Sequence, residues 1–392
     1  MAPLFVFTAD LHLADGAWST KPGIYGDAYY SFSQIVDYCI AHDLPLILGG
    51  DILEKKSNSA RPIVKLCEGL SQMQAAGVPV FYIQGNHEYD RNAPWLSVHP
   101  WPIHMHKTAR VINDVRVYGL DWLPRGEIQT AFEEVPAEID ILLTHQVWKD
   151  FMGEIGRTEC ELTDVHFVQT VLAGDFHVTK VVEGVNAQGK PIKMLSPGST
   201  AMQDMGETEE KFFFVISRDS STGVIDFTPV PLKTRGVVRH VVKDQDTLDS
   251  LCAGQLAKEI AELVARAQAE DYPQDIQKPL VRVKFDKRLP DAFVRISTTV
   301  GDSAHLFCEA LAERSGARPQ ASRNASKNDL LSAVAELLPE ESAAYSLAAA
   351  LLGADNLNKE LAEQFSLFMD EEPHATSETG SEELGSSSPT DV

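Results

Sequence analysis

Basic residues are in short supply. Lys and Arg number 34 against 57 Asp and Glu, which leaves a formal net charge of −23. A protein that coats nucleic acid unaided is normally basic, because phosphate neutralisation supplies most of its affinity. Any contact with nucleic acid would therefore need a local patch, metal ions or a partner. Cysteine is sparse as well: five residues, scattered and without CxxC spacing. That argues for reduced thiols in a cytosol-like compartment, mostly serving as small buried hydrophobes. No apolar run approaches the roughly 20 residues of a membrane span. The first apolar segment, Leu4–Phe7, is short, lacks a basic flank and leads into Asp10, so it is not expected to be a signal peptide.

What is present is ordinary for a globular chain: 44% hydrophobic and 23% charged residues, over 392 positions. That length suits one large domain and one or two smaller ones. Up to about residue 235, strand-like runs alternate with helical patterns. Leu4–Thr8, Leu44–Leu48, Val78–Ile83, Val115–Gly119, Ile139–Leu143, Val168–Ala173, Ile192–Leu195, Lys211–Ser217 and Val224–Pro229 read as strands. The early ones are continuous Val/Ile/Leu/Phe runs, as expected of strands covered on both faces. Tyr29–His42 and Arg61–Ala76 carry helical spacing, the second with Pro62 in its first turn and Gly77 past its end. This alternation predicts an α/β domain over residues 1–235. Residues 236–300 read as a smaller α+β unit. It contains a strand at Val237–Val242, one amphipathic helix at Thr247–Ala269, a half-exposed strand through Val281, Val283 and Phe285, and a further strand at Ala292–Ser297. Residues 301–370 read as helical, with a cap at Ser326-Lys327-Asn328-Asp329. The tail over 371–392 is rich in Ser, Thr and Glu, contains no Lys or Arg, and is expected to be disordered.

The chemistry gathers at strand ends. Asp10-Leu11-His12, Gly50-Asp51, Gly85-Asn86-His87-Glu88, Thr144-His145 and Gly174-Asp175-Phe176-His177 each follow an apolar run. Several contain a Gly that permits a tight turn. Taken singly, each has a plain reading: a cap, a turn, a surface pair. Five in order, each at a strand end, make coincidence a poor account. Loops beyond the carboxyl ends of strands converge on the ligand site in open α/β sheets. Asp, Asn and His supply oxygen and nitrogen ligands suited to Mn²⁺, Fe or Zn²⁺. Two such ions, roughly 3.5–4 Å apart, can share one bridging Asp, hold a hydroxide and clamp a phosphoryl group. His87, beside a ligand, is placed to protonate a leaving oxygen.

The series resembles the calcineurin-like metallophosphoesterases, with their ordered motifs D-x-H, G-D, G-N-H-[DE], H and G-H-x-H. Within that family it is most similar to the nuclease subunit of the SbcCD type, a double-strand-break-repair nuclease. Gly50-Asp51-Ile52-Leu53-Glu54 followed by Arg61-Pro62, the turn Leu195-Ser196-Pro197-Gly198-Ser199-Thr200, a small α+β unit and then helices favour that branch. The resemblance implies a four-layer α/β/β/α sandwich with a capping domain and a C-terminal helical segment. It implies one metal held by Asp10, His12, Asp51 and His177, and a second by Asp51 as bridge with Asn86, His145 and Asp175. His87 matches the catalytic histidine. The ions would be Mn²⁺, with Mg²⁺ or Fe as alternatives, and a metal-bound hydroxide would cut phosphodiester bonds of DNA. The helical region would dock an SMC-like coiled-coil ATPase of the SbcC type. A homodimer is left open, a membrane role is not expected, and the compartment would be cytoplasmic, or the host cytoplasm if the source is viral.

Two positions depart from the family pattern. Glu54 stands where some relatives carry a second histidine, and Asp175 where the family usually has His. A carboxylate at 175 adds negative charge and a harder oxygen, favouring Mn²⁺ or Mg²⁺; the competing view is a spoiled second site in a scaffold subunit. A small-substrate phosphodiesterase is the other alternative. Lys55, Lys56, Arg91 and Arg125 are candidate phosphate contacts, with Lys55 and Arg91 foremost as substrate-binding residues. His99, His104 and His106 in HPWPIHMHK read as a packed loop beside the cleft rather than a metal tract, and Trp122 as core packing rather than a base-stacking platform.

Overall fold

The computed structural model describes residues 2–15, 23–55, 59–91, 99–153 and 158–311. The expected helices after Leu311, the 371–392 tail and Lys56 lie outside them. The apolar runs β1 (Ala2–Thr8), β2 (Leu46–Gly49) and β3 (Val80–Ile83) pair in parallel, and β4 (Ile103–His104) adds to β3. A second sheet is built on β6 (Val115–Gly119), β7 (Ile141–His145), β8 (Thr170–Gly174) and β10 (Pro191–Ser196), all parallel. Its antiparallel edges are β5 (Thr108–Ile112) and β9 (Lys180–Val185). The chain then returns to the first sheet as β11 (Phe212–Arg218) and β12 (Ile225–Pro231). That sheet is ordered β12-β11-β1-β2-β3-β4, the second β5-β6-β7-β8-β10-β9.

Side chains alternate across each strand, and both faces are buried. Phe5, Phe7, Ile47, Phe81 and Ile83 of the first sheet meet Val117, Ile141, Leu143, Leu172 and Leu195 of the second in a shared interior. Val6, Leu46, Leu48, Val80 and Tyr82 point the other way, onto helices α1 (Asp27–His42) and α2 (Ala60–Ala76). Leu142, Val171, Ala173 and Met194 face α3 (Arg125–Glu133) and the short α4 (Lys149–Met152). This is the expected α/β/β/α sandwich. The α1 stripe Phe32, Ile35, Val36 and Cys39, and the α2 stripe Leu66, Leu70 and Met73, are the buried sides of amphipathic helices.

The smaller unit is a parallel sheet of β13 (Val237–Val242), β14 (Leu280–Phe285) and β15 (His305–Ala310), backed by α5 (Gln245–Ser250), α6 (Leu256–Ala269) and α8 (Ala292–Val300), with α7 (Gln274–Gln277) beside them. Three expectations are corrected here. Ala292–Ser297 belongs to a helix, not a strand: Ala292, Ile296 and Val300 are buried four residues apart, whereas Phe293 and Val294 are exposed. The stretch from 301, expected to be helical, begins with β15. Gly301 ends α8 and β15 completes the sheet beside β14. The single helix over Thr247–Ala269 is interrupted by a widened turn at Leu251–Gln255, where Gly254 has φ 136°. The reading also lacked β4, β5, β9 and α3; the edge strands β5 and β9 are largely exposed and so show little apolar alternation. Among the described residues, no helix is long and apolar enough to cross a membrane.

Candidate metal centre

The five motifs sit where β1, β2, β3, β7 and β8 end, and the parallel sense of these strands brings those ends to one side of both sheets. The loops after β1 and β2 stay paired beyond the sheet: Asp10 N–H donates to Gly50 O at 3.0 Å, His12 N–H to Asp51 O at 2.9 Å and Leu13 N–H to Ile52 O at 3.0 Å. Asp10, His12, Asp51 and Asp175 all adopt positive φ, at 53°, 46°, 48° and 83°. Such strain gathers where the surrounding structure over-determines a functional geometry. Gly50, at φ 92°, could not become alanine, since a Cβ there would strike the His145 ring; a Cβ at Gly174 would strike the same ring and Gly49 O.

Four imidazoles share one arrangement. Each fixes Nδ1 on an outer acceptor: His12 on Glu54 Oε2 at 2.8 Å, His87 on Glu54 O at 2.7 Å, His145 on Gly49 O at 2.8 Å and His177 on Glu207 Oε1 at 3.3 Å. With Nδ1–H donating outward, His12, His145 and His177 each present the Nε2 lone pair inward, as a metal ligand must. His12 Nε2 and His177 Nε2 lie 3.1 Å apart. Two lone pairs at that distance repel, and a cation satisfies both.

Around these nitrogens stand the carboxylates. His12 Nε2 is 3.7 Å from Asp51 Oδ2 and 4.0 Å from Asp10 Oδ1, and His177 Nε2 is 3.9 Å from Asp10 Oδ1. On the other side, His145 Nε2 is 3.3 Å from Asp51 Oδ2, 3.2 Å from Asn86 Oδ1 and 3.8 Å from Asp175 Oδ1. Asp51 lies between the two groups. Asp10–His12–His177, Asp10–Asp51–His145 and His12–Glu54–His87 each place ligand atoms within 4.8 Å of one another. The residues expected to hold ions are thus brought together, and the donor set of carboxylate, amide and imidazole suits divalent cations.

Electrostatics point the same way. Burial works to raise the Asp51 carboxyl, but His145, His12 and His87 override it and hold Asp51 well below the usual carboxylate range. Burial opposes protonation of His145 and His12, yet the nearby acids lift both: Asp51 chiefly for His145, and the Glu54 hydrogen bond with Asp51 for His12. For Asp10 and Asp175 burial dominates, with Asp51 adding repulsion, and both carboxyls rise. These buried acids call for positive charge.

The remaining candidates fall outside this centre. Arg91 pairs bidentately with Glu127 of α3 at 2.7 Å and donates to Tyr89 Oη at 3.0 Å. Lys55 is exposed just beyond Glu54, and Arg125 opens α3. His104 and His106 form the packed loop that was expected. His104 stacks on Tyr82 and contacts Asp121 at 2.9 Å, and His106 Nδ1 accepts the Asp121 N–H at 3.0 Å. Trp122 meets Tyr89 edge to face.

Three supporting residues escaped the sequence reading. Buried Gln84 receives Asp90 N–H on its side-chain oxygen and gives its amide hydrogens to Asp90 O and Asp121, closing the loop that carries Asn86 and His87. Glu207 and the buried Lys211 stand behind His177. Their only signal was a pair of charges bracketing the start of a strand.

A family model described as calcineurin-like phosphoesterase matches residues 3–179. The chain is also similar to proteins named DNA double-strand break repair protein Mre11. The one from Haloferax volcanii is 26% identical over 186 residues, covering 45% of this chain and 42% of that protein. Those from Methanosarcina acetivorans and Halobacterium salinarum are 22% and 24% identical over 223 and 230 residues. These matches cover 54% and 56% of this chain, and 36% and 58% of the relatives. The chain therefore spans about half the length of these relatives, or less.

Proposed function

We propose that the chain is a dimetal-dependent DNA nuclease subunit that hydrolyses phosphodiester bonds, a reading supported by the calcineurin-like phosphoesterase model that matches residues 3–179. The observation that carries this reading is the convergence of four outward-anchored histidines on Asp10, Asp51 and Asp175. Asp10, His12, Asp51 and His177 would hold one ion, and Asp51, Asn86, His145 and Asp175 the other, with Mn²⁺ favoured by the hard carboxylate at 175. When bound, two such ions activate a water and neutralise the phosphoryl oxygens.

The protein's own residues do the rest. Asp51 is fixed from behind: its Oδ1 accepts the His87 N–H at 3.0 Å, leaving Oδ2 toward His12 and His145. His87 keeps Nδ1–H on the Glu54 carbonyl, so the proton it can deliver to a leaving oxygen is the one on Nε2. At the mouth of the site and partly exposed, that nitrogen can reach a substrate without first displacing protein. Asp10 accepts the Asp175 N–H at 3.1 Å, which ties the first and last motifs together.

We further assign residues 1–235 to catalysis and the β13–β15 unit to a cap. The chain beyond Leu311 would dock an SMC-like coiled-coil ATPase, which also answers how so acidic a chain engages DNA. The test is a Mn²⁺ nuclease assay on linear DNA with wild type, His87→Ala and Asp175→His. His87→Ala abolishes cleavage while both ions still bind, and Asp175→His stays active with altered metal preference. Cleavage of a chromogenic phosphodiester but not of DNA would point to a small-substrate enzyme. An inert wild type rescued by Asp175→His would make this chain a scaffold.

A further inference from the structure

Behind His177 lies a closed set of contacts that the nuclease reading does not use. Glu207 Oε1 faces His177 Nδ1 at 3.3 Å. Its other oxygen receives Lys211 Nζ at 2.5 Å and Ser199 Oγ at 2.9 Å, and Lys211 Nζ also donates to Ser199 Oγ at 2.7 Å. Lys211 is 3% exposed and Glu207 14%. Ser199 N–H closes the ring onto His177 O at 3.2 Å.

The segment that carries Glu207 is held from the cap. Arg239 of β13 donates to Glu207 O at 2.9 Å and pairs with Glu209, and Arg282 of β14 donates to Met205 O at 3.0 Å. Met202 and Met205 pack with Val237 and Leu280, the first residues of the same two strands. The carboxylate that sets His177 is therefore suspended between the catalytic sheet and the cap sheet.

We propose that Glu207 is the positioning residue for His177, and that Arg239 and Arg282 hold it in place, so that the seating of the cap sets the geometry of one metal site and leaves the other untouched. This rests on the dimetal reading above. A carboxylate on the far nitrogen fixes ring orientation and raises ligand basicity, and losing such a partner typically weakens metal affinity about tenfold to a hundredfold. A purely structural Lys–Glu pair predicts something else: lower stability, with both ions bound as before.

The experiment is calorimetric titration of Mn²⁺ into the EDTA-stripped full chain, with His177→Ala marking which ion depends on that side. Glu207→Gln keeps the shape and removes the charge. Glu207→Leu with Lys211→Met removes the pair together, so no lone buried ammonium remains to unfold the protein. Both are expected to weaken the His177-dependent ion by about tenfold or more, with the second ion unchanged. Arg239→Ala with Arg282→Ala should weaken the same ion by roughly fivefold, the low end of coupling between sites. Unchanged affinities in the Glu207 variants overturn the proposal. An unchanged affinity in the arginine pair alone removes the cap from it. A wild type that takes up no Mn²⁺ overturns the metal reading and this proposal with it, an outcome distinct from both.

Discussion

A single methyl group is enough to test how tightly the centre is built. Gly174→Ala introduces a Cβ against the His145 ring and Gly49 O, and neither can retreat, because His145 is pinned through Nδ1 to that same Gly49 carbonyl. The expected result is loss of the His145-side ion, read as one Mn²⁺ per chain by calorimetry where wild type takes two, with nuclease activity down at least about a hundredfold. Asp175, the least expected residue of the series, has Oδ1 3.8 Å from His145 Nε2. Glu54, the other departure, holds two histidines at once, His12 by its carboxylate and His87 by its carbonyl.

At the scale of elements, the loop between β3 and Tyr89 is the most closely clamped. Gln84 donates and accepts across it, Asp121 takes both the Gln84 backbone N–H and its side-chain amide, and Trp122 N–H closes on Gln84 O at 2.8 Å. Replacing Gln84 by Leu removes one hydrogen bond from Asp121 Oδ2 and two from the Asp90 backbone, while the residue-84 backbone N–H and His104 still reach Asp121. The cost is expected at about 2–4 kcal/mol by urea unfolding, with a lower rate of catalysis, because Asn86 and His87 lose their fixed frame. Gln84→Glu should be no milder, since it sets a second carboxylate beside Asp121.

For the whole molecule, two predictions bear on how its parts are held. Arg235 is 3% exposed and spends its guanidinium on Asp27 at 2.8 and 2.9 Å and on the carbonyls of Tyr25, Asp275 and Lys278, tying α1 of the sandwich to the segment that leads into β14. Arg235→Met strands Asp27 and is expected to destabilise the protein by about 3–5 kcal/mol, measured by denaturant midpoint. Metal should act in the opposite direction. On the dimetal reading the folded centre binds ions and the unfolded chain has no such site, so Mn²⁺ at a hundred times its dissociation constant is expected to add about 2.7 kcal/mol per site. That appears as a raised melting temperature which EDTA reverses.

The sequence by itself determined a good deal. Continuous apolar runs and the helical spacing between them specified the α/β sandwich, because a strand apolar on both faces needs a layer on each side and an amphipathic helix can supply one. The donors of the centre were legible too, since local order alone puts a polar residue where a buried strand ends. Only the tertiary structure decided what lies behind those donors. Glu207 is thirty residues from His177, Asp121 thirty-seven from Gln84, and Arg235 more than two hundred from Asp27. Pairings over such distances are fixed by the crossing of strands and leave no periodicity in the text. The same holds for Ala292–Ser297, which reads as a strand until burial four residues apart against the β13–β15 sheet makes it part of a helix, Ala292–Val300.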